Sequence, residues 1–313
     1  MKTVTFLYPG QGSQYVGMAK NLIDNPIAKK IIEEAESVLG YSIKDLMING
    51  PEEELKKTEK TQPAILTHSY ILTELLQSEG VRPNLVLGHS IGEYGALLAA
   101  GSISFTEAVK AVQLRGKFMQ ESVPEGKGSM VAILKVDLET IQRGCQEVSE
   151  SGSEVMPANI NSPGQVVISG HKEATDKFCA WLESNFEGTF RAIPLKVSAP
   201  FHSSLMRPAQ LKLAEHFKEV QFKENAVPYI ANIDAELYGE GTSPSKIKTN
   251  CIEQVSGSVL WQECFSQVPE DSLCLEVGPG KTLMGLGRSI NRKVKIITLD
   301  QEEPLNIIKE LQL

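Results

Sequence analysis

The most constraining feature of the chain is the stretch LVLGHSIGEYGALLAAG, which runs from Leu85 to Gly101. Leu85 to Leu87 is typical of a short buried strand, and the segment from Ile91 to Ala100 has the pattern of a helix that Gly101 ends. Between them lies Gly-x-Ser-x-Gly, centred on Ser90. A strand, a sharp turn and a helix in this order predict an α/β fold with Ser90 at the carboxyl end of a strand.

Ser90 has two interpretations. As a nucleophile, it would sit on a turn whose flanking glycines leave room for the crowded backbone. The next amide, that of Ile91, would lie at a helix N-terminus and could donate to an oxyanion. As a structural residue, Ser90 would only cap the helix. The strand–turn–helix context favours the nucleophile.

A nucleophilic serine needs a base, and the chain has five histidines. Three of them lie in or at the start of helical stretches, namely His68, His171 and His216. His89 is expected to point away from its neighbour Ser90. His202 lies in the proline-bounded loop VSAPFHSSLMRP, where functional residues tend to concentrate. His202 is therefore the best candidate, and the alternative is a loop histidine with purely structural hydrogen bonds.

Strand and helix patterns alternate along most of the chain, which predicts a parallel sheet. Besides the Leu85 segment, the predicted strands are Val4 to Tyr8, Tyr229 to Asn232 and Leu273 to Val277. The predicted helices are Tyr15 to Leu39 with a break at Pro26, Pro51 to Lys56, Gln62 to Ser78, Thr106 to Gln120 and Pro208 to Glu219.

The pattern changes after Pro124. From there to Lys196 the sequence predicts the order β-α-β-β-α-β, which is the ferredoxin-like arrangement. The strands are Met130 to Leu134, Met156 to Asn161, Gln165 to Ser169 and Thr189 to Leu195, and the helices are Asp137 to Ser149 and Lys172 to Asn185. We therefore expect a large α/β subdomain, residues 1–125 and 197–313, with a small subdomain inserted at residues 126–196.

Charge and composition narrow the range of partners. The net charge of −8 over 313 residues argues against nucleic acid or an anionic membrane as the main partner. Polar residues follow Met1-Lys2, so no signal-peptide core forms, and no apolar run is long enough to span a bilayer. The five cysteines form no CxxC pair, and no cluster has zinc-like spacing. We expect free thiols, no metal and a cytoplasmic protein.

Seven motifs occur in the order seen in malonyl-CoA:acyl-carrier-protein transacylases. They are FLYPGQGSQYVGMA, GHSIGE, AVQLRGKFMQE, ANINSPGQVVISG, VSAPFHSSLM, EQVSGSVLW and EVGPGKTLMGL. The chain resembles this family from about Thr3 to Arg288. The resemblance implies an α/β-hydrolase-like large subdomain with a parallel sheet and an inserted ferredoxin-like small subdomain.

The resemblance also implies an activity. Such an enzyme moves a malonyl group from malonyl-CoA to the phosphopantetheine thiol of a separate acyl carrier protein, through a malonyl-serine intermediate. The pathway would be fatty acid or polyketide biosynthesis. The coenzyme A thioester is a substrate, so no cofactor is implied, and we expect a monomer.

The family motifs imply roles for individual residues. Ser90 matches the acylated serine, and His202 matches the general base. The backbone amide of Gln11 matches the partner of the Ile91 amide in the oxyanion hole. Gln254 matches a residue whose main-chain carbonyl, in place of an aspartate, orients the imidazole.

Two further residues would select the acyl group. Arg115 matches the arginine that pairs with the malonyl carboxylate, although its spacing beside Lys110 and Lys117 alone would favour a solvated helix residue. Phe201 resembles the aromatic of malonyl-accepting members, where a bulky ring would crowd a branched methyl group.

Two other functions are compatible with parts of this pattern. An acyl hydrolase that clears stalled carrier proteins could use the same serine, but such relatives typically lack the arginine at position 115. A non-catalytic assembly protein could keep the fold, but every catalytic position here retains a competent residue. The sequence favours the malonyltransferase.

Overall fold

The computed structural model describes residues 3–124, 126–195, 197, 199–300 and 304–310. Their strands are β1 (Val4–Tyr8), β2 (Leu85–Gly88), β3 (Gly128–Leu134), β4 (Val155–Ser162), β5 (Gln165–His171), β6 (Arg191–Pro194), β7 (Tyr229–Ile230), β8 (Leu237–Tyr238), β9 (Leu273–Glu276) and β10 (Lys295–Thr298). Their helices are α1 (Pro26–Leu39), α2 (Ile43–Asn49), α3 (Glu52–Leu55), α4 (Thr58–Ser78), α5 (Gly92–Ala99), α6 (Phe105–Glu121), α7 (Leu138–Val148), α8 (Lys172–Asn185), α9 (Arg207–His216), α10 (Pro244–Glu253), α11 (Trp261–Ser266), α12 (Thr282–Ile290) and α13 (Pro304–Glu310). These elements form a mixed α/β structure with two separate sheets.

The larger sheet has the strand order β10-β9-β1-β2-β7-β8. All of its neighbouring strands pair in parallel except β7 and β8. Every residue of β1 is buried because helices cover both faces of the sheet. Phe6 and Tyr8 join one apolar cluster, and Leu7 joins a second cluster that contains Trp261 of α11. The predicted parallel sheet is confirmed.

The smaller sheet has the order β4-β5-β3-β6, and all of its pairs are antiparallel. Its elements follow one another as β3-α7-β4-β5-α8-β6, which is the predicted sequence of strands and helices. Ile141 of α7 and Phe178 of α8 pack with Ile133 and Ile168 of the sheet in a third apolar cluster. The two helices therefore give this sheet a core of its own.

The predicted helix from Tyr15 to Pro26 is wrong, because the backbone there forms a series of turns. Gly17 and Ala19 both have positive φ angles, of 104° and 66°, which no right-handed helix contains. Helix α1 begins only at Pro26, where the side chain of Asn25 accepts a hydrogen bond from the amide of Ile27.

Strand β4 of the smaller sheet pairs with the segment that follows α10. Residues 158–160 of β4 run beside Val259, whose amide donates to the Ala158 carbonyl at 2.8 Å. The Ile160 amide donates back to the Val259 carbonyl at 2.9 Å. This pairing brings Asn161 of β4 to 2.8 Å from Nε2 of His89.

The glycines on either side of Ser90 are sterically required. A Cβ on Gly88 would lie 2.1 Å from the Gly92 carbonyl, and a Cβ on Gly92 would lie 2.1 Å from the carbonyl oxygen of Tyr8. The obstructing atoms are backbone atoms, so no side-chain rotation can relieve the overlap. Glycine at position 88 therefore lets the turn close on itself, and glycine at position 92 lets it pack against β1.

We expect Gly92→Ala to destabilise the protein by about 3 kcal/mol, because the new methyl group overlaps the β1 backbone. Urea unfolding measures this loss. The matched control is Gly285→Ala in α12, where a Cβ meets nothing within 4 Å. That variant should unfold within about 1 kcal/mol of the parent and on the stabilising side. Equal stability of the two variants would contradict the steric account.

Candidate active site

Ser90 lies on the turn between β2 and α5 with a φ of 53°, a conformation that a serine rarely adopts. The capping position of α5 is occupied by Ile91, and no side chain caps the helix there. The Ser90 hydroxyl instead lies 2.7 Å from Nε2 of His202. The capping interpretation of Ser90 is therefore wrong, and the hydroxyl faces an imidazole.

The imidazole of His202 is held from the opposite side. Its Nδ1 lies 2.9 Å from the Gln254 carbonyl and 3.1 Å from the Gly257 carbonyl. Carbonyl oxygens only accept hydrogen bonds, so we assign the ring hydrogen to Nδ1. Nε2 then carries a lone pair that accepts the hydrogen bond from Ser90.

His202 is uncharged at neutral pH. It is 3% exposed, and burial is the main cause that lowers its pKa to about 3, with the positive charge of Arg115 as the second cause. Its hydrogen bonds to the two carbonyls raise the pKa, but their effect is smaller than that of burial. Nε2 of the ring is therefore unprotonated across the physiological pH range.

Arg115 extends from α6 into the same site. Its side chain is 1% exposed, which contradicts the interpretation as a solvated helix residue. Nη2 donates to the Ser90 hydroxyl at 3.2 Å and to Oε1 of Gln254 at 2.8 Å, whereas Nε has no partner within the described residues. Burial lowers the pKa of the guanidinium, but arginine stays charged in proteins. A buried positive charge with a free donor thus lies beside the hydroxyl.

The two amides expected to bind an oxyanion flank the turn. The loop after β1 packs closely on it, since a Cβ on Gly10 would lie 2.8 Å from the His89 carbonyl oxygen. Across the described ranges, neither the Gln11 amide nor the Ile91 amide donates to a protein acceptor. Both are therefore free to donate to a ligand.

Two residues that sequence reasoning missed hold the turn in place. The side chain of Asn232 accepts from the Ser90 amide and donates to the Gly88 carbonyl, each at 2.7 Å. Glu93 is fully buried under the turn and accepts from Nε2 of Gln254 at 2.5 Å. Their signals were a carboxylate in an otherwise apolar helix and an asparagine at the carboxyl end of a strand.

The remaining predicted positions also have definite places. Phe201 is buried in the core of the large sheet, directly before His202. His89 bonds to Asn161 and not to Ser90, as expected. No cluster of three metal-ligating side chains occurs within the described ranges. Among the helices that the structure describes, none combines the length and apolar character needed to span a membrane.

This arrangement is suited to nucleophilic acyl substitution. A serine hydroxyl contacts a neutral imidazole, and two free amides lie nearby, that of Ile91 at the start of α5 and that of Gln11 in the loop after β1. The acyl transferase domain family matches residues 5–285, which is most of the chain. The chain belongs to this family.

Known relatives narrow the similarity further. The malonyl CoA-acyl carrier protein transacylase of Bacillus subtilis is 41% identical over 310 residues, covering 98% of this chain and 96% of the relative. The protein of that name from Salmonella typhimurium is 44% identical over 294 residues and covers 93% of each chain.

Solved structures agree with this similarity. An acyl carrier protein S-malonyltransferase from Vibrio cholerae has a TM-score of 0.93 at 38% identity, covering 98% of this chain and 100% of that one. A malonyl-transacylase in complex with its holo type II PKS acyl-carrier protein has a TM-score of 0.92 at 39% identity and covers 99% of both chains.

The low pKa of His202 predicts how Ser90 reactivity depends on pH. A histidine with its ordinary pKa would lose reactivity below about pH 6.5. Because His202 stays neutral until the pH approaches its pKa of about 3, the rate at which neutral phenylmethylsulfonyl fluoride modifies Ser90 should stay constant from pH 8 to pH 5. Stopped assays with mass spectrometry measure this rate. A fall centred near pH 6.5 would contradict the assignment.

Proposed function

We propose that the protein transfers a malonyl group from malonyl-CoA to the phosphopantetheine thiol of an acyl carrier protein. The observation that carries the proposal is the buried guanidinium of Arg115, which lies 3.2 Å from the hydroxyl that would bear the acyl group. A malonyl group ends in a carboxylate that a guanidinium can bind through two parallel hydrogen bonds. An acetyl group would leave the buried donors unpaired.

In the first half-reaction, Nε2 of His202 accepts the proton of Ser90 while Oγ attacks the thioester carbonyl. The tetrahedral oxyanion accepts hydrogen bonds from the amides of Gln11 and Ile91. The imidazolium is oriented by the Gln254 carbonyl and protonates the departing coenzyme A sulfur. The product is malonyl-Ser90.

In the second half-reaction, the carrier protein's thiol enters where coenzyme A left. His202 accepts the thiol proton, and the sulfur attacks the malonyl-serine carbonyl through a second tetrahedral intermediate. The intermediate expels the Ser90 oxygen, which regains its proton from the imidazolium. The serine ester is thus formed and consumed by the same base, and the reaction is ping-pong.

Selection of the acyl group rests on two side chains in this proposal. Arg115 binds the terminal carboxylate throughout both half-reactions. Phe201 precedes His202 in the chain, and its ring would crowd a methyl branch on the acyl α-carbon. An editing hydrolase is less well supported, because the relatives from Bacillus subtilis and Salmonella typhimurium are named as transacylases and Arg115 is present here.

We also infer how the fold divides. The parallel sheet and its helices would be an α/β-hydrolase-like catalytic subdomain, residues 1–125 and 197–313. Residues 126–196 would be a ferredoxin-like subdomain, as the order β4-β5-β3-β6 supports. A cytoplasmic monomer that needs no cofactor and acts on a separate carrier protein remains our expectation.

The proposal predicts a covalent intermediate. Brief incubation with radiolabelled malonyl-CoA should add one malonyl group to Ser90, and addition of a holo acyl carrier protein should move the label to the carrier's thiol. Ser90→Ala should take up no label. Labelling of Ser90→Ala would contradict the proposal. Loss of the label from the enzyme by hydrolysis, without transfer to the carrier's thiol, would also contradict it.

Arg115→Ala should lower kcat/KM for malonyl-CoA by about 100-fold relative to acetyl-CoA, because the carboxylate loses its charged hydrogen-bond partner. Steady-state assays with both thioesters measure this ratio. Lys117→Ala is the matched control, since Lys117 lies on the same helix with its side chain 52% exposed. The two variants should differ clearly, and an unchanged ratio in Arg115→Ala would remove Arg115 from substrate selection.

A further inference from the structure

Glu93 is a buried carboxylate in contact with the site but without a part in the steps above. It lies in the first turn of α5 and is 0% exposed. Its Oε2 accepts hydrogen bonds from Nε2 of Gln254 at 2.5 Å and from the Asn232 amide at 3.3 Å. Its Oε1 has no partner within the described residues. Burying a carboxylate with one oxygen unpaired costs free energy, so the presence of Glu93 beside the site calls for an explanation.

Glu93 fixes the direction of the Gln254 side chain. An ionised carboxylate and a main-chain carbonyl can only accept hydrogen bonds. Both the Glu93 carboxylate and the Ser90 carbonyl therefore require the NH2 group of Gln254, which lies 2.5 Å and 2.9 Å from them. The amide oxygen of Gln254 must then face Arg115, and it accepts from Nη2 at 2.8 Å.

Glu93 also balances charge in the cluster. Arg115 is buried, and within the described ranges it forms no ion pair with a carboxylate. The Glu93 carboxylate is one Gln254 side chain away, so it offsets the guanidinium charge. A malonyl carboxylate bound directly to Arg115 would place two negative charges around one positive charge. In a buried site, the more weakly stabilised carboxylate then gains a proton.

We propose that Glu93 is a positioning residue that holds Arg115 beside Ser90 through Gln254 and gains a proton when a malonyl carboxylate binds to Arg115. This inference rests on the proposed function, because it assumes that Arg115 binds the malonyl group. It adds a residue that sets the strength of malonyl binding without touching the substrate.

The surroundings of Glu93 leave it poised to gain a proton. Burial raises its pKa to about 7, although hydrogen bonds from Gln254 and Asn232 and the charge of Arg115 act against the rise. The titratable groups that face it from other elements are Arg115 of α6, Tyr229 and Asp234 around β7, Cys251 of α10 and Cys264 of α11. Burial raises the pKa values of the tyrosine and both cysteines, so they stay neutral. Asp234 raises the pKa of Glu93 further.

The sign of the pH effect follows from linkage. Malonyl binding raises the pKa of Glu93, so binding takes up protons, and affinity increases as pH falls through about 7. The malonyl carboxylate itself stays ionised, since an ordinary carboxyl pKa is near 4. An acetyl group brings no charge, and its binding should not depend on Glu93.

Proton uptake tests the inference directly. Ser90→Ala can bind malonyl-CoA without reacting, and calorimetry in buffers of different ionisation enthalpy counts the protons taken up. We expect more proton uptake with malonyl-CoA than with the acetyl-CoA control, and this excess should be largest near pH 7. Adding Glu93→Gln to Ser90→Ala should abolish the difference. Equal uptake with both thioesters would overturn the inference.

A second test begins with the unmodified enzyme, so its main result does not depend on whether a variant folds. If malonyl binding raises the pKa of Glu93 by about one unit, the ratio of kcat/KM for malonyl-CoA over acetyl-CoA should be about sevenfold higher at pH 6 than at pH 8.5. Glu93→Gln should make this ratio independent of pH. A ratio that stays constant in the unmodified enzyme would overturn the inference.

Glu276→Gln is the matched control. Glu276 is another fully buried carboxyl whose pKa burial raises to about 7, but it binds the amides of Leu283 and Met284 at the start of α12. This variant should keep the pH dependence of the malonyl ratio. Loss of the dependence in Glu276→Gln as well would show a general effect of stability and would overturn the role of Glu93.

Failure of the inference and failure of the proposed function give different results. If Arg115→Ala keeps the malonyl preference, the proposed role of Arg115 is wrong, and the inference falls with it. If Arg115→Ala loses the preference while the pH dependence and the proton uptake are absent, malonyl transfer stands and only the role of Glu93 is overturned.

Discussion

The site depends on one buried guanidinium. Arg115 donates to both the Ser90 hydroxyl and the Gln254 side chain, at 3.2 Å and 2.8 Å, in a place that water hardly reaches. A buried charge is costly unless its neighbours compensate for it. The oxygen of Gln254 and the carboxylate of Glu93 supply that compensation, and together they also hold the turn around Ser90. The chemistry and the packing of the site are therefore inseparable.

The groups of this cluster come from separate elements of the fold. The end of β2 presents Ser90, α6 presents Arg115, and the segment after α10 presents the carbonyls that orient His202. The small sheet contributes Asn161, which fixes the ring of His89 on the far side of the turn. No segment of the chain holds the site alone, so its geometry depends on the packing of both sheets.

Much of the fold could be predicted because local patterns decide it. The buried run Leu85–Leu87 and the glycines around Ser90 permit one local geometry. The β-α-β-β-α-β order of the small sheet follows from the period of its hydrophobic residues and from its turn residues. The turns before Pro26 could not be predicted, because the apolar residues there mimic a helical period. The backbone there has positive φ angles at Gly17 and Ala19, and the Gly17 amide donates to the Met47 carbonyl of α2, a contact that the local sequence does not indicate.

The site was predictable in part for the same reason. Ser90 stands in a recognisable turn, but the place of Arg115 on a helix between two lysines carries no local signal of burial. Glu93 was visible as a carboxylate in an apolar helix, yet its contact with Gln254 joins residues 161 positions apart. Such contacts are a property of the assembled fold, and a family resemblance can indicate them only for residues whose role is already described.

The central claim is that the buried guanidinium of Arg115 binds the carboxylate of the acyl group. A crystal structure of the enzyme trapped with malonyl-CoA measures this directly. The account predicts an ester on Ser90, with the malonyl carboxylate bound to Arg115 by two hydrogen bonds and Nε2 of His202 still beside the ester oxygen. A malonyl carboxylate that points into solvent, with Arg115 still bound only to Gln254, would contradict it.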